Sequence, residues 1–210
     1  MSESVVAYPN SLPGFDSTLP ADQKRRLEAD VRKWLLSSFQ ADLDDKVARS
    51  FETRTFGPLP LVHEFVKFMP DLFGLYINGF FYAAVALAGL TAERFCCDLI
   101  EVANVQVDGK TLSSDEKRAM TELRFYDLIE LLAEWGLIQE NTKQSLHEIR
   151  KIRNRYVHPR QMQPGKQKAD AERMISALCD VARNEFGPSA TGRYTIENGA
   201  LKIRTERHNP

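Results

Sequence analysis

The chain has 210 residues, of which 43% are hydrophobic and 27% are charged, and its formal net charge is −1. This composition is typical of a globular protein with one substantial core, and it excludes a chain that coats nucleic acid through its overall charge. The three cysteines (Cys96, Cys97 and Cys179) lack CxxC spacing, so we predict small core residues in a reducing compartment, the cytoplasm. The N-terminus shows no signal-peptide pattern, which agrees with that expectation.

The first 59 residues are predicted to form an arm and a helical extension. Residues 1–19 are rich in Pro, Ser and Gly, and Pro20 suits the first turn of a helix over 20–39. A weaker helix is predicted over 42–52. The apolar stripe of the first helix consists of Leu27, Val31, Trp34, Leu35 and Phe39.

A long apolar stretch occupies the middle of the chain. After a short helix over 61–68, a central helix is predicted over 76–103. Residues 73–92 carry no charge and are long enough to cross a bilayer. Three glycines in this stretch and the charges that follow it favour the other interpretation, a helix buried on all sides of a bundle.

Turn and capping signals mark the elements that follow. Asp108-Gly109 is a hairpin-type turn. Ser113 and Glu116 form a capping box that opens a helix over 114–135, and Gly136 ends that helix. Its apolar stripe consists of Phe125, Leu128, Ile129, Leu132 and Trp135.

Residues 141–160, NTKQSLHEIRKIRNRYVHPR, include the helix around which we expect the domain to be organised, over 141–157. Asn141 and Gln144 form a capping-box pattern at its start. His158 is released from the helix because a residue before proline avoids the helical conformation. The apolar side of this helix consists of Leu146, Ile149, Ile152, Tyr156 and Val157.

Arg153 falls in the middle of this apolar side, whereas Lys151 and Arg155 fall on the opposite, solvated face. An arginine directed at a core is costly unless it is paired or lines a cleft. Glu93, the first charge after the apolar stretch, needs a cationic partner in its turn. Arg153 is the obvious candidate, and a lysine or water at the edge of the bundle is the alternative.

Basic residues are concentrated in and after this helix. From Lys143 to Lys168 the chain has eight Lys or Arg and a single acid, Glu148, which is a local net charge of +7. Such a segment suits a phosphate-bearing partner, and the other interpretation is a solvated helix face and loop.

The chain ends with a helix and a hairpin. The helix is predicted over 167–186, and the hairpin over 193–204 has the favoured turn Asn198-Gly199. This turn sets four apolar residues on one face, which we expect to dock on the bundle or on a second subunit. They are Tyr194, Ile196, Leu201 and Ile203.

The run Arg153-Asn154-Arg155-Tyr156-Val157-His158 resembles the Arg-x4-His signature of the HEPN superfamily (higher eukaryotes and prokaryotes nucleotide-binding domain). The chain is also similar to uncharacterised bacterial HEPN-like domains in its apolar helix with a glutamate, its helix ending in Gly and its helix ending in RN…H. Those parts are YAAVALAGLTAERF, FYDLIELLAEWGLI and LHEIRKIRNRYVH. The helical periodicity and the capping signals predict an all-α fold, and the resemblance implies that its helical domain, predicted over 60–187, is HEPN-like. The resemblance reaches Phe186 and says nothing specific about the extension 1–59 or the hairpin tail over 188–210.

The same resemblance implies a metal-independent endoribonuclease without a cofactor, of the kind found in toxin and defence systems. In such an enzyme the ribose 2′-hydroxyl attacks its own phosphate. His158 would exchange protons and Arg153 would hold the phosphate. Asn154 would orient the backbone or the phosphate, with Glu93 in support. Because one copy supplies half a site, a homodimer is expected. The residues expected to bind RNA are Arg150, Lys151, Arg155, Arg160 and Lys166.

The alternative is a non-catalytic HEPN-like interaction or RNA-binding module, in which Arg153 is locked to Glu93 and His158 caps backbone carbonyls. The expected partners are RNA, a second copy, and an antitoxin or other partner protein, without a membrane or a metal. Arg160 stands where some toxins of the family carry a tyrosine, which argues against regulation by nucleotidylation of that residue.

Overall fold

The computed structural model describes residues 20–57, 67–103, 106–107, 110–157, 165–186, 194–197 and 200–203. Its described part is predominantly helical, as the sequence predicts. The helices are α1 (Ala21–Gln40), α2 (Leu43–Thr53), α3 (Met69–Ile77), α4 (Phe81–Val102), α5 (Ser114–Thr121), α6 (Phe125–Glu134), α7 (Glu140–Val157) and α8 (Gln167–Phe186). The strands are β1 (Gln106–Val107), β2 (Lys110–Thr111), β3 (Tyr194–Glu197) and β4 (Ala200–Ile203).

The chain divides into two compact units, residues 1–45 and 46–210. In the first unit α1 forms close to its predicted bounds, but none of its residues is buried. Its predicted apolar stripe includes Trp34 and Phe39, which are both about half exposed. The predicted domain boundary at residues 59–60 and most of the predicted helix 61–68 lie outside the described residues.

The core of the second unit is formed by α4, α7 and α8, which pack against one another, with α3, α5 and α6 around them. Four of the five apolar residues predicted on α7 are buried, because their spacing places them on one side of the helix. Val157 is the exception: it is 60% exposed, since it occupies the last position of α7, and its predicted burial is wrong. Cys96 and Cys179 are buried as predicted, whereas Cys97 is only half-buried.

The predicted central helix 76–103 is in fact two helices. α3 ends at Ile77, Gly79 has a φ of +78°, and α4 begins at Phe81. The Gly79 N–H donates to the carbonyl of Tyr76 and the Phe80 N–H to that of Leu75, which is the Schellman pattern of a helix end. Glycine reaches this left-handed conformation without the steric cost of a side chain, so the apolar stretch is broken here.

The expectation that this central helix is buried on all sides is also wrong. Tyr82 and Leu90 on α4 are 55% and 60% exposed. Within the described residues, no helix is long and apolar enough to span a membrane.

The predicted helix 114–135 is also divided, into α5 and α6. The predicted capping box is present, since the Glu116 N–H donates to Oγ of Ser113 and the Ser113 N–H donates to the Glu116 carboxylate. A new helix begins after Arg124, whose backbone is extended and whose guanidinium binds Asp127 in the next turn. Gly136 ends α6 with a φ of +65°, as predicted.

The N-cap of α7 lies two residues earlier than predicted, at Gln139 instead of Asn141. α7 begins at Glu140, so Asn141 lies inside it and does not cap it. The Gln139 N–H donates to Oε1 of Glu185 at 3.2 Å, and Glu185 is fully buried on α8. A carboxylate at a helix N-terminus satisfies an orphan N–H and interacts favourably with the helix dipole, so a distant side chain fixes this helix end.

The strands form two antiparallel pairs, β1 with β2 and β3 with β4. In the second pair Tyr194 lies opposite Ile203 and Ile196 opposite Leu201. The turn residues 108–109 and 198–199 lie outside the described residues. The docking of the tail on the bundle therefore stays a prediction.

Candidate functional site

Arg153 lies on the side of α7 that faces α4. Its Nη2 is 2.8 Å from Oε2 of Glu93, and the two side chains are 30% and 28% exposed. The predicted ion pair between these residues is therefore present. The Arg153 guanidinium also lies 5.9 Å from the ring of Phe125, a buried residue at the start of α6. The pair is therefore partly buried, neither dry nor fully exposed.

Gly89 on α4 makes room for the aliphatic part of Arg153. A Cβ at Gly89 would lie 2.9 Å from both Cγ and Cδ of Arg153 and 3.3 Å from its Cβ. Gly89 and Glu93 are four residues apart, so they lie on one face of α4 one turn from each other. The arginine stem thus crosses the helix at the glycine, and its charged head reaches the acid one turn further on.

The Arg-x4-His motif is only partly described. α7 ends at Val157, as the sequence predicts, and the next residue in the chain is His158. His158 and Arg160 lie outside the described residues. Asn154 is half-buried on α7, whereas Lys151 and Lys166 are exposed.

The basic residues counted between 143 and 168 meet acids from other helices. Of the seven that the structure describes, four form ion pairs, namely Lys143 with Glu130, Arg153 with Glu93, Arg155 with Asp170 and Lys168 with Glu52. These acids lie on α6, α4, α8 and α2, so the local charge count of +7 overstates the positive charge of the folded surface. Short-range charge counts miss such partners because folding brings them from distant parts of the chain.

Arg155, predicted on the solvated face of α7, is 36% exposed and forms an ion pair that the sequence did not predict. Its Nη2 lies 2.6 Å from Oδ1 of Asp170, a side chain that is only 8% exposed. The Tyr156 hydroxyl donates to the other oxygen of this carboxylate at 3.1 Å. Burial, together with the negative Asp170, raises the pKa of Tyr156 to about 12. Arg155 therefore links α7 to α8 through Asp170, and less of its positive charge is available to bind RNA.

Arg150 has a different environment. Its guanidinium lies 5.0 Å from the ring of Tyr126, which is 46% exposed on α6. Its Nε is buried without a hydrogen-bond partner among the described residues. The ring of His147 lies 5.3 Å from that of Tyr126, and its Nε2 lies 2.8 Å from Oε1 of Glu130. Nothing in the sequence pattern singled out Tyr126, because its neighbours on α6 form an ordinary apolar stripe.

A second polar cluster surrounds the buried Tyr76 on α3. The Tyr76 hydroxyl lies 2.5 Å from Glu52 and 2.6 Å from Glu172, and Lys168 donates to Glu52 at 2.9 Å. The hydrogen bond from Tyr76 and then that from Lys168 hold the pKa of Glu52 below its usual value. These contacts connect α2, α3 and α8 and stabilise the bundle.

Within the described residues, no group of three or more His, Cys, Asp or Glu side chains is placed to hold a metal ion. The expectations of no metal and no cofactor stay predictions. Glu93 and Arg153 are the sequence-predicted site residues that the structure brings together. Gly89 was missed, although its spacing of four from Glu93 is the signal that could have found it.

Comparison with known families gives one match. The model of the family described as "Domain of unknown function (DUF4145)" matches residues 73–186, which is more than half of the chain. The matched range runs from α3 to the end of α8 and includes the Arg153–Glu93 pair. No curated protein and no solved structure matches the chain.

Proposed function

The chain belongs to the DUF4145 family, and we propose that it is a HEPN-like, metal-independent endoribonuclease with a C-terminal hairpin. In this proposal RNA is cleaved by attack of a ribose 2′-hydroxyl on the adjacent phosphate. Arg153 and His158 carry the chemistry, Asn154 orients the phosphate, and Glu93 orients Arg153. The biological setting that fits such an activity is a toxin or defence system with an antitoxin or other partner protein.

The observation that supports the proposal most is the way Arg153 is held. Glu93 lies 2.8 Å from one guanidinium nitrogen, Nη2, and the Arg153 side chain remains 30% exposed. A guanidinium fixed by one acid and still open to water retains donors in a planar array that matches a phosphate. This arginine lies in the last turns of α7, five residues before a histidine.

The proposed reaction needs two proton transfers. The 2′-hydroxyl loses a proton as its oxygen bonds to phosphorus, and the 5′-oxygen gains a proton as its bond to phosphorus breaks. A histidine with a pKa near its usual value of about 6.5 performs either step at neutral pH. Arg153 stabilises the negative charge that grows on the phosphate oxygens. The products are a 2′,3′-cyclic phosphate and a 5′-hydroxyl.

One copy of the chain supplies one such histidine, so the proposal includes a homodimer. A twofold interface near the end of α7 brings two copies of His158 to one phosphate, one as base and the other as acid. Light scattering at micromolar concentration is expected to give the mass of a dimer. A monomer under these conditions would contradict this part of the proposal.

A second candidate function is a non-catalytic interaction or RNA-binding module. The observation that favours it is the neutralised surface of α7, where Lys143, Arg153 and Arg155 each pair with an acid. In this case Glu93 locks Arg153 as a structural residue, and the domain binds a partner without cutting RNA.

The two candidates are separated by cleavage assays on the purified full chain. With single-stranded RNA in the presence of a chelator, wild type is expected to cut, and His158→Ala is expected to lose cleavage with an unchanged circular-dichroism spectrum. Arg153→Lys should lose most activity because lysine keeps the charge but not the planar group of donors. Arg173→Lys is the matched control, since it makes the same change at an exposed arginine on α8 that is paired with Glu148. RNA binding without cleavage in wild type would favour the interaction module.

A further inference from the structure

Two exposed tyrosines lie on either side of Arg153. Tyr126 on α6, 46% exposed, is in contact with Arg150, which is three residues before Arg153 on α7. Tyr82 on α4, 55% exposed, has its hydroxyl 3.4 Å from the carbonyl of Tyr156, three residues after Arg153. Because Tyr126 contacts residue 150 and Tyr82 contacts residue 156, the order along α7 is Tyr126, Arg153, Tyr82. The six-residue span is about 9 Å, the rise of two to three stacked nucleotides.

Arg150 provides charge next to the first of these rings. It is the one arginine of α7 without a carboxylate partner in the described part of the chain, since Arg153 and Arg155 pair with Glu93 and Asp170. Its guanidinium lies over Tyr126 instead. An arginine that stacks on an aromatic ring keeps its terminal in-plane donors for phosphate oxygens, whereas Nε of Arg150 is buried.

From this arrangement we infer that Tyr126, Arg150 and Tyr82 form a track for single-stranded RNA across the Arg153 site. This inference rests on the proposed function and specifies the form of its substrate. Bases in a duplex have their faces covered by neighbouring pairs, so only unpaired bases stack on side-chain rings. Alternating arginines and exposed rings bind the backbone and the bases of one strand, without requiring a particular sequence.

The test measures the affinity of the full chain for a fluorescein-labelled 2′-O-methyl oligouridylate. This probe binds as a single strand but lacks the 2′-hydroxyl nucleophile, so binding is separated from cleavage. Tyr126→Leu and Tyr82→Leu are each expected to weaken binding by between about fivefold and about a hundredfold, the range for the loss of one base–aromatic stack. Tyr126→Phe keeps the ring and should bind as wild type does.

Phe51→Leu is the matched control, because Phe51 on α2 is also an exposed ring with an arginine, Arg54, at 4.7 Å. It should leave binding unchanged. Equal binding of wild type, Tyr126→Leu and Tyr82→Leu would overturn the inference, as would tighter binding of a duplex of the same length. A change of oligomeric mass in the tyrosine variants without a change in RNA affinity would also overturn it and assign the face to a second copy.

Failure of the RNA track and failure of the proposed nuclease activity give different results. If wild type cuts RNA and the tyrosine variants bind as it does, the track is wrong and the proposed function stands. If the tyrosine variants lose binding but wild type never cuts, the track is supported and the nuclease is wrong.

Discussion

Replacing Gly89 with alanine tests whether the close approach of α4 and α7 positions Arg153. The new Cβ would lie 2.9 Å from Cγ and Cδ of Arg153, whereas ordinary contacts are at 3.4–4 Å. The arginine stem must therefore move by at least about half an ångström, and its neighbours with it. Because Cγ and Cδ lie in the middle of the side chain, a change of the terminal torsions alone does not relieve the contact.

The expected free-energy change combines two opposing effects. Alanine in a helix is more favourable than glycine by about 1 kcal/mol. Overpacking a close contact costs about 1–3 kcal/mol, and loosening the half-exposed Arg153–Glu93 pair costs up to about 1 kcal/mol. We expect Gly89→Ala to be neutral or to lower the free energy of unfolding by up to about 3 kcal/mol.

Gly74→Ala is the matched control for the gain in helix stability when glycine is replaced by alanine. Gly74 lies inside α3, and a Cβ there would meet nothing within 4 Å. This variant should gain up to about 1 kcal/mol. Urea unfolding of both variants is followed by circular dichroism. The difference between them gives the combined cost of the close contact and of the loosened ion pair, expected to be about 1–4 kcal/mol. If Gly89→Ala is stabilised as much as Gly74→Ala, the contact does not constrain Arg153 and the reasoning is wrong.

Three further predictions concern the bundle. Asp170→Asn weakens the buried acceptor that joins α7 to α8 and should lower the free energy of unfolding by roughly 1–3 kcal/mol. The control Glu148→Gln, at an exposed ion pair, should lower it by less than about 1 kcal/mol in the same urea titration. Because the pKa of Glu52 is lowered by folding, its contribution to stability is present above the unfolded value of about 4.3 and is lost as the pH falls. Tyr76→Phe removes the hydrogen bond that lowers the pKa of Glu52 most, so it should reduce the loss of stability between about pH 6 and about pH 3. An unchanged dependence of stability on pH would contradict this role of Tyr76. Deleting residues 190–210 should lower stability by a few kcal/mol if the tail docks its apolar face, and an unchanged melting temperature would show that it does not dock.

The parts of the fold that follow from local periodicity could be predicted. The buried side of α7, the extent of α8 and the capping box at Ser113 depend on residues within a few turns of one another. The Glu93–Arg153 pair could be predicted as well, because each residue was a charge placed in an apolar surrounding, and such charges need partners.

The features that could not be predicted depend on contacts between distant segments. Glu185 fixes the start of α7 from the far end of α8, and Asp170 on α8 pairs with Arg155. The break at Gly79 was hidden by the continuous apolar composition around it, although the dipeptide Asn78-Gly79 is itself a turn signal. Local sequence shows which side of a helix is apolar, but not which charges will meet across the bundle.

The chemical nature of the cleaved ends tests the proposed function most directly. Wild-type protein is incubated with single-stranded RNA in excess chelator, and the products are analysed by mass spectrometry, with His158→Ala in parallel. The proposal predicts 2′,3′-cyclic phosphate and 5′-hydroxyl ends in wild type and no products with His158→Ala. Products with 3′-hydroxyl ends, equal cleavage by both proteins, or no cleavage by wild type would contradict it.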